Sequence, residues 1–114
     1  MIIKRGEVYL AALDPVVGRE ISKTRPVVIV SNDVNNEFAG TITVLPITSG
    51  SLEKLYPFEG PIAKGTANLP KDSKVKANQI RTLERNRLIK RIGELPREIM
   101  SGVDKAVSLH LGLE

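Results

Sequence analysis

Apolar and polar positions alternate in short runs along most of the chain, and proline, glycine and asparagine bound the runs. Glu7–Leu13 (EVYLAAL) predicts a first strand, and Asp14–Thr24, with Pro15 and Gly18, a long polar loop. Arg25–Asn32 (RPVVIVSN) is apolar at consecutive positions, the pattern of a strand buried on both faces. Asp33–Gly40 reads as a connection. Thr41–Ser49 (TITVLPITS) is a β-branched strand in which Pro46 predicts an edge or a bulge, because proline cannot donate to the ladder. Pro57–Ala63, Lys74–Lys76, Gln79–Leu83 and Leu88–Leu95 are further short strands. The period then changes. Ile99, Val103, Ala106, Val107 and His110 recur at helical spacing, with Pro96 suited to the first turn and Gly112 to the C-terminal stop. Gly102 weakens that helix by about 1 kcal/mol relative to alanine, so packing must hold it. The expected fold is α+β and mostly β: a small, partly open SH3-like barrel closed by a C-terminal helix, one domain over residues 1–114.

Length and composition narrow the function classes. The chain has 114 residues, 41% of them hydrophobic and 26% charged, which suits one folded core and neither disorder nor a coiled coil. No apolar run approaches the ~18 residues of a membrane span. The opening Met1–Arg5 is too short for a signal peptide, so a cytoplasmic location is expected. The absence of cysteine excludes disulfides, iron–sulfur clusters and zinc–thiolate sites. A single histidine, His110, excludes a two-histidine ribonuclease site or a three-histidine zinc site within one chain. The aromatic residues, Tyr9, Phe38, Tyr56 and Phe58, are too few for a broad base-stacking platform. Net charge is +4. Nine basic and three acidic residues make the 71–97 segment +6 and leave the remainder −2, a distribution that points to a polyanionic partner.

Candidate chemistry clusters at the ends of two strands. If the second and third strands pair antiparallel and close at Asn32 opposite Thr41, facing residue numbers sum to 73. Arg25 then faces Thr48 beside the 14–24 loop, a guanidinium and a hydroxyl on one face of the sheet. A slip of one residue would separate them. Gln79 and Arg81, one strand period apart, read either as an exposed polar face or as a base-edge reader beside a phosphate binder. His110, near the end of an apolar helical face, reads as a packing or helix-dipole residue.

In order along the chain stand Lys4-Arg5-Gly6-Glu7-Val8-Tyr9, Asp14-Pro15-Val16-Val17-Gly18, Lys23-Thr24-Arg25-Pro26 running to Asp33, Pro46-Ile47-Thr48-Ser49 and Asn78-Gln79-Ile80-Arg81-Thr82. This ordered set resembles the MazF/PemK toxins, the ribonuclease half of toxin–antitoxin pairs. The resemblance implies a homodimer of barrels of the CcdB/PemK type. It implies sequence-specific cleavage of single-stranded RNA or mRNA without metal or other cofactor, and an antitoxin partner whose disordered acidic tail occupies the RNA groove. It places the catalytic arginine on Arg25 and the catalytic hydroxyl on Thr48. It places RNA binding on Gly18, Arg19, Glu20, Lys23, Ser49, Gln79 and Arg81. Many members carry a glycine pair late in the loop that is Gly18–Thr24 here; this chain carries none.

The chemistry implied is attack of the RNA 2′-OH on the adjacent phosphorus, giving a 2′,3′-cyclic phosphate and a 5′-OH. Arg25 suits stabilisation of the charge on phosphorus, with proton donation to the leaving 5′-oxygen open to it; a pKa above ~12 makes it a poor base. Glu20, a neighbouring 2′-OH and water all remain open as the base. Two other classes share the fold: a gyrase-poisoning toxin and a non-catalytic SH3-like binding module. The former depends on C-terminal residues rather than on the Arg-Pro and Thr-Ser pairs.

Overall fold

A computed structural model describes residues 1–113. Seven strands run β1 (Glu7–Ala12), β2 (Thr24–Ile29), β3 (Thr41–Thr48), β4 (Glu59–Ile62), β5 (Ser73–Lys76), β6 (Arg81–Glu84) and β7 (Leu88–Glu94). Helix α1 (Asp33–Phe38) lies between β2 and β3, and α2 (Arg97–His110) follows β7. All pairings are antiparallel, in the order β4-β5-β3-β2-β1-β7, with β6 paired to the other half of β3.

The consecutive apolar residues of β2 explain the layering. Val27, Val28 and Ile29 are fully buried, and alternation sends them to two cores. Val28 joins Val8, Leu45, Ile47, Ile62 and Val75 under Met100, Val103 and Ala106 of α2. Val27 and Ile29 join Tyr9, Ile42 and Val44 under Leu83 and Leu88 of β6 and β7. The sheet coils so that β4, β5 and α2 cover one face of β1–β3 and β6 and β7 cover the other.

The β2–β3 register is the expected one: Val27 faces Pro46, Val28 faces Leu45 and Ile29 faces Val44. Pro46 is neither at an edge nor at a bulge. Thr43 bonds toward β2, where its carbonyl accepts from Val30 N at 2.9 Å. Alternation turns the Pro46 nitrogen the other way, where the partner of β3 changes from β6 (ending at Val44–Arg81) to β5 (starting at Ile47–Val75). No ladder bond is asked of the proline.

Two local expectations differ and a third is narrowed. The 33–40 connection contains α1, started by Asn32, whose side chain accepts from Asn35 N at 2.8 Å. Gln79 belongs to a 3-10 turn, Ala77–Gln79, and not to the strand that holds Arg81. His110 is exposed in the last turn of α2, which fits the helix-dipole alternative and not the packed one, its ring 6.4 Å from that of Phe58. Gly112 does end the helix, with φ +71° and Leu113 N bonded to Ser108 O at 2.9 Å.

Candidate active site

The β2–β3 ladder stops at Val27–Pro46. Continuing the same pairing by two residues puts Arg25 opposite Thr48, beyond the last bonded pair, so the two flank an opening between strands. A cleft of about 220 Å³ lies there, lined by Arg25 and Pro26 from β2, Ile47 and Ser49 at the end of β3, and the 69–73 segment before β5. Arg25 and Lys71 supply two cations and Ser49 and Ser73 two hydroxyls, over apolar Ile47, Leu69 and Pro70. A planar guanidinium beside a second cation and hydroxyl donors is suited to a phosphodiester.

Arg25 is half-buried, and its Nε donates to Ser22 O at 3.2 Å. That bond fixes the inner edge of the guanidinium on the β1–β2 loop and leaves the terminal nitrogens for a ligand. Thr48 Oγ1 accepts from Gly50 N at 3.2 Å.

The loop carrying Gly18, Arg19, Glu20 and Lys23 is held at many points. Leu13 N donates to Lys23 O at 2.9 Å, Lys23 N to Asp14 Oδ1 at 3.1 Å, and Val17 N to Glu20 Oε1 at 2.7 Å. Gln79 grips it with both ends of its amide: Ile21 N donates to Oε1 and Nε2 donates to Arg19 O, each at 3.2 Å. Arg81 donates to Leu13 O at 3.1 Å, and Arg87 to Ala12 O and Asp14 O at 3.1 and 2.7 Å. Gln79 and Arg81 therefore do not share a strand face, but both meet this loop. The glycine pair is replaced by a backbone clamped from the β6 side.

The structure also redistributes the basic segment. Lys74 and Lys76 pair with Glu59, and Arg91 with Glu7. Arg85 bonds the carbonyls of Asn36 and Met1, beside the carbonyl bonds of Arg81 and Arg87. Lys71, Lys90, Arg91 and Arg97 are the exposed members. The segment is largely internal scaffolding, not a continuous stripe. Sequence reasoning passed over Lys71 and Ser73 as cleft residues; a single lysine after Pro70, just before β5, is the only written signal for them.

The fold defines a class of small, coiled, partly open antiparallel barrels with a C-terminal helix, and comparison with known proteins specifies the family. Residues 4–111 match the family model described as "PemK-like, MazF-like toxin of type II toxin-antitoxin system". The chain belongs to this family. It is 42% identical to the endoribonuclease MazF of Staphylococcus epidermidis over 112 residues, covering 98% of this chain and 93% of that one. It is 39% identical to the endoribonuclease EndoA of Bacillus subtilis over 113 residues, covering 99% and 97%. Its fold superposes on the crystal structure of MazF from Deinococcus radiodurans with a TM-score of 0.83 at 26% identity, covering 98% of both chains. A MazE–MazF crystal structure from the same organism matches with a TM-score of 0.73 at 25% identity over the whole of both chains.

Proposed function

We propose that this chain is the toxin of a toxin–antitoxin pair and an endoribonuclease that cuts single-stranded RNA at chosen sequences without metal. The observation that carries the reading is the end of the β2–β3 ladder, where the register extended by two residues sets Arg25 opposite Thr48 and where Arg25 lines a cleft with a second cation, Lys71. The endoribonuclease names of its relatives support it.

RNA supplies its own nucleophile. The 2′-oxygen forms a bond to the adjacent phosphorus as the bond from phosphorus to the 5′-oxygen breaks. The 2′ proton passes to a base, and the leaving oxygen gains a proton. The protein's part is to hold the phosphate in line and to stabilise the charge on its equatorial oxygens. Arg25 meets that charge with its free terminal nitrogens. Thr48 donates its hydroxyl proton to a phosphate oxygen, its lone pair being taken by Gly50 N. Gly18, Arg19, Glu20 and Lys23 border the strand of RNA, Ser49 lies in the cleft, and Gln79 and Arg81 set the loop against it. The active form is a homodimer, and the acidic, disordered tail of the antitoxin occupies the same groove.

The test is naked RNA incubated with the pure protein in EDTA, with the product ends mapped. Cuts leaving a 2′,3′-cyclic phosphate and a 5′-OH are expected. Arg25→Ala should lower the rate by about 10²–10³-fold with the fold intact. A folded Arg25→Ala protein that cuts at the parent rate would remove the catalytic assignment. Gyrase inhibition without RNA cleavage would point to the poison of the same fold.

A further inference from the structure

Lys74 stands opposite Thr48 in the β3–β5 pairing. Its side chain is 4% exposed and that of Glu59, 3.0 Å away, is 1% exposed. Lys74 Nζ uses its three protons on Ser51 O at 2.8 Å, Lys54 O at 3.2 Å and Glu59 Oε1 at 3.0 Å. Glu59 Oε1 also accepts from Tyr56 N at 3.1 Å. One buried ion pair thus ties three peptides of the loop between Thr48 and β4.

A buried ion pair is a poor device for stability alone. Desolvating two charges offsets most of their attraction, and an apolar pair of similar volume generally serves as well or better. What the pair supplies is direction, and here the directions converge on the loop after Thr48. Ser51 has φ +54°, a left-handed conformation that a serine holds only when its surroundings fix it. Its carbonyl is held by Lys74. The preceding residue, Gly50, donates its N–H to Thr48 Oγ1 at 3.2 Å.

We propose that Lys74 and Glu59 are positioning residues for Thr48: they fix the Ser51 carbonyl, which sets the conformation of the 50–51 turn and with it the Gly50 N–H that holds the Thr48 hydroxyl. The proposal rests on the ribonuclease reading of that site. Lys74→Met leaves the buried Glu59 with only the more exposed Lys76, 3.6 Å away, as its cation. The decisive variant is therefore Lys74→Met/Glu59→Met, which removes the buried pair at similar volume and leaves Lys76, whose side chain is 27% exposed, to solvent. Melting temperature, steady-state RNA cleavage and amide exchange over residues 50–58 are measured on each. In the double variant the melting temperature should return to near that of the parent. Its kcat should stay about 10–100-fold low with KM within about 2-fold, and the loop amides should exchange faster. Glu59→Gln keeps an acceptor for Lys74 and Tyr56 and should retain most of kcat. Recovery of kcat together with the melting temperature, or parent-like exchange in the double variant, would overturn the positioning role. A parent protein that leaves RNA intact overturns the ribonuclease reading instead, and the exchange data still decide whether the pair holds the loop.

Discussion

Gln79 meets the β1–β2 loop with both ends of its amide, which leaves one N–H and one lone pair for an RNA base. Its effect on specificity therefore runs through the loop as well as through any base edge it touches. Gln79→Ala should widen the set of sequences cut, with a small loss of affinity and faster amide exchange over residues 17–23. Arg81 spends one nitrogen on Leu13 O, and in the proposed role the rest of its fork meets phosphate. Arg81→Ala should weaken binding to all RNAs alike and reduce the slope of log affinity against log salt by about one phosphate. Cut-site maps and salt titrations of the two variants check this; identical maps and equal affinity losses would defeat the division. The residue scale is also where sequence reading was thinnest. Arg25 and Thr48 were legible because strand pairing fixes their relation through one number, the register. Gln79 was read on a strand and lies in a turn, because three residues of 3-10 geometry leave no periodic trace.

Elements with strong periods were legible: β1, β3, β7 and α2 lie within a residue or two of their sequence boundaries, while β2 ends three residues early, at Ile29, because Asn32 caps α1. Helix α1 was not, since six residues give under two turns of pattern; the Asn32 cap and the acidic Asp33 are its written signals. The bulged β1–β7 pairing depends on a feature that no local pattern reveals. Gly93, paired with Val8, passes so close to the neighbouring chain that an added Cβ would lie 2.7 Å from the backbone oxygen of Ala67. Backbone cannot yield as a flexible side chain can, so Gly93→Ala should cost about 1–3 kcal/mol in urea unfolding. The β4–β5 hairpin makes a pH prediction. Burial pushes the Glu59 carboxyl up, but the Tyr56 N–H, Lys74 and Lys76 outweigh it and hold the carboxyl below its usual 4.5. A depressed carboxyl contributes stability above its unfolded value, and the contribution is lost as pH falls through the folded value. Melting temperature should therefore drop below about pH 4.5, and Glu59→Gln should flatten that drop. Parallel acid arms for the parent and the variant would show that Glu59 does not shape this transition.

For the whole molecule, net charge was a poor guide to surface. The +4 total is carried by a segment whose arginines and lysines mostly bond carbonyls and carboxylates of their own chain, because an arginine fork caps exposed backbone oxygens as readily as it grips phosphate. Among the outward cations, Lys71 lies with the half-buried Arg25 at one cleft, with Arg19 and Lys23 on the loop beside it. No helix among the described residues is long and apolar enough to cross a membrane. Exposed apolar residues include Leu109, Leu111 and Leu113 at and beyond the end of the C-terminal helix, 46%, 50% and 73% exposed, and Met1, Ile2, Val34 and Phe38, 73%, 79%, 70% and 78% exposed. Unsatisfied apolar surface in a small chain favours a self-association face. The toxin should therefore sediment as a dimer without its antitoxin at micromolar concentration, and a clean 12.5 kDa species would reject the dimer. The antitoxin's acidic tail should bind the Arg25–Lys71 groove by folding onto it, since a disordered segment that orders on contact covers a large surface and excludes substrate at once. Its attraction should fall with salt as the screening length shortens to about 8 Å near 0.15 M. The check is competition: RNA cleavage titrated with a synthetic tail peptide at low and high salt, with Lys71→Ala as the partner variant. Inhibition that weakens with salt and with loss of Lys71 is expected. Full cleavage under saturating tail at low salt would show that the antitoxin acts from another face.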